Sequence, residues 1–219
     1  MKVYLAKNAG FCMGVKRAVD TALKPENKGA YILGNIIHNE TVLNTIKEKG
    51  LITVESENDV KSGSSVIIRS HGVGKETVDY FNKNNVKVID CTCPFVKKIQ
   101  NIAEEYYNKG YQIVIIGKSS HPEVIGINGW CNNSAIIIDS EDFTNNLDIY
   151  EKVCVVCQTT YSTKKFETIL KKINNLSLKT VEIFKTICYT TMERQNEAEM
   201  LSKKCDAKEI FCIYISIKW

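Results

Sequence analysis

Apolar residues along the chain gather in short, β-branched runs separated by longer amphipathic stretches. The runs KVYLA (2–6), YILG (31–34), SVIIRS (65–70), VKVID (86–90), YQIVIIG (111–117), SAIIID (134–139), KVCVV (152–156) and TVEIF (180–184) predict strands. The stretches 13–23, 40–49, 74–84, 94–109, 162–174 and 190–204 predict amphipathic helices. Strands and helices in alternation imply an α/β fold of parallel sheets covered on both faces.

Laid over one another, the units suggest a divergent three-fold repeat. Three times a strand-like run ends in a cysteine that opens a helix: VYLAKNAGFCMGVKRA, VKVIDCTCPFVKKI and VEIFKTICYTTMERQ. Three times another strand enters a histidine loop and then a helix: YILGNIIHNETV, VIIRSHGVGKETV and IVIIGKSSHPEVI. His38, His71 and His121 are the only histidines in the chain. Each unit would give its strand ends to a shared centre, as ligands in open α/β sheets gather at the carboxyl ends of strands.

Composition narrows the class. The 219 residues are enough for one large domain or two ordinary ones, and 44% apolar with 25% charged residues is that of a soluble globular chain. The net charge of +4 comes from scattered Lys and Arg, which suits a small anionic substrate better than nucleic acid. The first twenty residues show no signal-peptide pattern and no stretch approaches the ~18 apolar residues that span a bilayer, so a cytoplasmic protein without a membrane partner is expected.

In a reducing compartment nine cysteines are expected to be packed thiols, a redox pair, or a metal or cluster site. Cys12, Cys93 and Cys188 come from three distant loops, each at a positive helix start. That arrangement suits an iron–sulfur cluster better than the close pairs of a zinc site. Three buried thiols at strand ends are the competing reading. Cys91 is expected to pack. The CxxC at 154–157 lies inside a β-branched run and is expected to be strand interior, while Cys131, Cys205 and Cys212 show no pattern. In SSHPEV (119–124), read as a loop, His121 and Glu123 together could bind an anion and relay protons. SHGVG (70–74) adds His71, with glycines that would let backbone N–H groups approach a ligand. GNIIHNE (34–40) adds His38. Three imidazoles around one centre would suit a diphosphate.

The ordered motifs GFCMGVKRA, GNIIHNE, RSHGVG, CPFVKK, SHPEVIG, CQTTYS and ICYTTMERQ closely resemble those of the 4-hydroxy-3-methylbut-2-enyl diphosphate reductase family, from residue 1 to about residue 207. The resemblance implies three similar α/β units with small parallel sheets around a central 4Fe–4S cluster. It implies that Cys12, Cys93 and Cys188 bind three irons and leave the fourth to the substrate's hydroxyl. It further implies that His38, His71 and His121 hold the diphosphate, and that Glu123, with Thr159 beside the hydroxyl, delivers a proton. Ferredoxin or flavodoxin would supply two electrons, giving isopentenyl and dimethylallyl diphosphate. The glycines around Cys12 would leave room for cluster and substrate.

The same resemblance divides the chain into a first strand within 1–12 that belongs with the third unit, then units at 13–93 and 94–187. Residues 188–219 would be the remnant of a third. The family continues there with a glycine-rich loop carrying a Ser-Ser-Asn run, whereas this chain reads CDAKEIFCIYISIKW, so the third unit is expected to be incomplete. An inactive remnant that binds a metal or cluster, and a non-catalytic α/β binding module, are the other readings.

Overall fold

The computed structural model describes residues 4–37, 39–143 and 147–204. It divides into two compact units, one of Met1–Ser70, Asn84–Cys91 and Tyr189–Trp219, the other of His71–Lys83 and Thr92–Cys188.

The first unit is built on a parallel sheet of β1 (Tyr31–Leu33), β2 (Ile52–Val54), β3 (Ser65–Ile68) and β4 (Lys87–Asp90), in the order β2-β1-β3-β4. One face, at Ile32 and Ile67, packs with Ala18, Val19 and Ala22 of helix α1 (Met13–Ala22) and Ile46 of α2 (Glu40–Glu48). Asn39 caps α2 by accepting from Val42 N at 3.0 Å.

The second unit repeats the plan with β5 (Gln112–Ile116), β6 (Ile136–Ile138), β7 (Lys152–Cys157) and β8 (Thr180–Ile183), in the order β6-β5-β7-β8 and again all parallel. In each sheet the second strand is the edge, the first lies inside it, and the third and fourth follow. This sheet is buried on both faces, which is why its central strands are apolar at consecutive positions. Val114, Val155 and Cys157 face Phe166, Ile169 and Ile173 of α6 (Thr163–Asn174). Ile113, Ile115, Cys154 and Val156 pack with Ile99 and Ala103 of α4 (Pro94–Asn108) and Val124 and Ile127 of α5 (Pro122–Asn128). Helices α3 (Lys75–Lys83) and α7 (Tyr189–Ser202) complete the set.

Three expectations change. Residues 4–6 of the predicted first strand carry no regular structure, and Leu5 is 85% exposed. Strand β2 was not expected, because an edge strand of three residues with Ile52 half-exposed has no apolar run to announce it. The 119–124 stretch is not all loop: α5 starts at Pro122, where a proline fits the first helical turn. Among the described residues no helix is long and apolar enough to cross a membrane.

Candidate functional site

Candidate residues stand directly after the carboxyl ends of parallel strands, at equivalent places in the two sheets. His121 and Glu123 follow β5, the first strand of the second sheet. Thr159 follows β7, the third strand of that sheet, as His71 follows β3 in the first sheet. Cys93 and Cys188 follow the fourth strands, β4 and β8. The repeat is therefore one of strand order. His71 has its counterpart in Thr159 rather than in another histidine. His38 lies outside the described residues.

Glu123 is the most closely held candidate residue of the second unit. It is 1% exposed. One carboxyl oxygen accepts from Thr159 N at 2.6 Å and the other from Thr159 Oγ1 at 2.7 Å. Burial drives its pKa up to about 7, against the two opposing hydrogen bonds from Thr159. A carboxyl so held exchanges its proton near neutral pH, and the short Glu123–Thr159 contact can carry that proton from either side. Thr159 O in turn accepts from Cys188 N at 2.9 Å, so a candidate cluster ligand and a candidate acid share one backbone residue.

His121 is the N-cap of α5, its Nδ1 accepting from Glu123 N at 3.2 Å. With Nδ1 an acceptor, the ring's proton lies on Nε2, which makes a neutral imidazole an N–H donor. His71 stacks edge-on against His121, ring centroids 5.4 Å apart. The glycines beside His71 stand where the chain is closely packed. Gly72 has φ +71°, and a Cβ there would lie 2.5 Å from Gln100 Nε2. A Cβ on Gly129 would lie 2.6 Å from Gly74 Cα. At Gly10, before Cys12, a Cβ would meet nothing within 4 Å, and the demand is its φ of +102°.

The cysteines separate into two groups. Cys12, Cys93 and Cys188 are half-buried, and each immediately precedes a helix: α1, α4 and α7. Cys12 and Cys93 occupy N-cap positions without a side-chain cap bond, where Ser, Thr, Asp or Asn would stabilise the helix better. A thiol at such a place serves something other than the helix. Cys91, Cys131, Cys154 and Cys157 are buried, and burial pushes Cys131 to about 11 and Cys154 to about 12. Cys154 and Cys157 also face opposite sides of their sheet, which rules out a vicinal redox pair. Cys205 and Cys212 lie outside the described residues.

Among the described residues no three His, Cys, Asp or Glu side chains converge tightly enough to hold a single metal ion. Thiols at helix starts are the soft donors that an iron–sulfur cluster takes, and Cys12, Cys93 and Cys188 offer that chemistry.

One residue was missed in the sequence. Arg69, directly after β3, donates to Asn35 O at 3.4 Å in space that Gly34 leaves, since a Cβ on Gly34 would lie 2.5 Å from Arg69 Nη1. Burial lowers its pKa, making it a desolvated cation at a strand end. A charged residue closing the apolar run SVIIRS was the signal.

Residues 3–212 match the family described as LytB protein. A 4-hydroxy-3-methylbut-2-enyl diphosphate reductase of Caldanaerobacter subterraneus subsp. tengcongensis is 47% identical over 212 residues, covering 94% of this chain and 73% of that relative. The solved structure of an (E)-4-hydroxy-3-methyl-but-2-enyl diphosphate reductase, the terminal enzyme of the non-mevalonate pathway, superposes with TM-score 0.78 at 35% identity, covering 96% of this chain and 79% of that one. The E-1-hydroxy-2-methyl-but-2-enyl-4-diphosphate reductase from Plasmodium falciparum superposes with TM-score 0.84 at 29% identity, covering 96% and 70%.

Proposed function

The chain belongs to the LytB family, and from that premise we propose that it is the reductase for which its relatives are named, removing the hydroxyl of 4-hydroxy-3-methylbut-2-enyl diphosphate. The reaction takes up two electrons and two protons, releases water, and leaves isopentenyl or dimethylallyl diphosphate. Cys12, Cys93 and Cys188 would hold a 4Fe–4S cluster, which when bound supplies the electrons and Lewis acidity toward the departing oxygen. The electrons would come from ferredoxin or flavodoxin.

The protein's own residues do the rest. His121 offers its Nε2–H to the diphosphate, with His71 against it and His38 as third donor. The Thr159 hydroxyl orients toward the substrate's hydroxyl and passes it the proton of Glu123, so that water rather than hydroxide leaves. Burial keeps that carboxyl protonated until needed and keeps water from competing for the proton.

The observation that carries the reading is the Glu123–Thr159–Cys188 chain of short contacts, which ties a neutral-range acid to a half-buried thiol at a helix start. The test is anaerobic reconstitution of residues 1–219 with iron and sulfide, followed by turnover of the hydroxymethylbutenyl diphosphate with a low-potential reductant. A brown protein that forms the two product diphosphates is expected. A chain that takes up no iron and sulfide would refute the reading.

A further inference from the structure

Strands β7 and β8 end at Cys157 and Ile183, yet their chains stay hydrogen-bonded further on. Phe184 N donates to Val155 O at 2.9 Å, and Cys188 N donates to Thr159 O at 2.9 Å. The step between them is made by a side chain. Thr186 Oγ1 accepts from Cys157 N at 2.8 Å and donates to Cys157 O at 2.6 Å. The three contacts, 184 on 155, 186 on 157 and 188 on 159, advance two residues at a time on both chains, the step of a parallel ladder. One hydroxyl thus takes both backbone groups of Cys157, a fully buried residue. In the first unit the bond from Cys91 N to Ile68 O at 3.0 Å is the counterpart of that from Phe184 N to Val155 O.

We propose that Thr186 is a positioning residue. Its clasp on Cys157 holds the 184–188 segment in register with 155–159, and so sets where the Cys188 thiol stands relative to Thr159 and Glu123. The inference rests on reading Cys188 as a cluster ligand. Thr186 is well suited to the task because a hydroxyl both donates and accepts, and because it orients a ligand without contacting the reacting atoms. Ile187, beside it, packs against the core around Phe166 and Ile169, which pins the segment from its other side.

The test compares the parent chain with Thr186→Val, which keeps the shape, and Thr186→Ser, which keeps the hydroxyl. All three are reconstituted anaerobically and compared by far-UV circular dichroism, by the electron paramagnetic resonance spectrum after reduction, and by the lifetime of the visible absorption in air. T186V is expected to fold, to show an altered resonance spectrum, and to lose its chromophore roughly tenfold faster. T186S is expected to match the parent. Parent-like spectrum and lifetime in T186V would overturn the proposal. So would a T186V chain that fails to fold while T186S folds, since that marks the hydroxyl as support for β7 rather than for the ligand. A parent chain without a cluster removes the functional reading itself, and this inference with it.

Discussion

Glu123 shows how one buried residue couples fold stability to chemistry. Its carboxyl is held by Thr159, through the amide and the hydroxyl, and burial outweighs both bonds to leave its pKa at about 7. Glu123→Gln keeps the shape and can still bond Thr159, but cannot give up the same proton. Its kcat should fall by ~100-fold or more with cluster content unchanged. The parent's turnover should decline as pH rises through about 7, because the acid form disappears, and steady-state rates across pH should show no such limb in E123Q. Stability follows the same titration. The folded state keeps a proton that the unfolded chain gives up near pH 4.5, so stability is greatest below that value and falls until about pH 7. The loss from this group is on the order of 3 kcal/mol. Denaturant midpoints at pH 4.5 and pH 8 should therefore fall more for the parent than for E123Q.

At the scale of elements, α7 is polar nearly all round, with Thr191 its one buried residue, so packing alone does not account for its place. It holds the segment before Cys12 by its side chains. Glu197 accepts from Lys7 N at 2.6 Å and Asn8 N at 3.1 Å, while Arg194 donates to Asn8 O at 3.1 Å and Gly10 O at 2.9 Å. The helix that follows one candidate ligand thereby fixes the loop that precedes another. Glu197→Ala should speed amide hydrogen exchange at Lys7 and Asn8 while leaving α4 and the second sheet unchanged. The backbone bonds hold the Glu197 carboxyl below its ordinary pKa. In the parent, that protection should persist at neutral pH and fade as acid protonates the carboxyl. Backbone crossing sets a stricter limit at Gly129, where a Cβ would lie 2.6 Å from Gly74 Cα with no flexible side chain to yield. Gly129→Ala should lower the melting temperature by roughly 5 °C or more, the effect of overpacking on a domain this size.

Across the whole molecule two sheets share one strand order, and the described candidate residues follow the third and fourth strands of the first sheet and the first, third and fourth of the second. Duplicated topology is an economical route to several candidate residues at strand ends. Replacing Cys12, Cys93 or Cys188 singly with Ala should abolish or strongly reduce iron and sulfide uptake. Cys91→Ala and Cys157→Ala should leave it intact, because those thiols are packed and face the core. Iron and sulfide assays on the five reconstituted variants make the comparison.

The sequence by itself determined the strand and helix alternation, the parallel sheets and the grouping of cysteines by context. Those depend on local periodicity and on which residue types open a helix. It also separated Cys154 and Cys157 from redox chemistry, since residues three apart on a strand cannot share a face. Tertiary structure alone decided the rest. β2 is stabilised by pairing with β1 and not by its own residues, and α5 starts where a histidine caps it. The pKa of Glu123 comes from burial beneath Thr159, 36 residues away, and the clasp of Thr186 on Cys157 spans 29. Contacts between residues so far apart in the chain leave no periodic trace, because nothing in a linear pattern records which strand ends a fold will bring side by side.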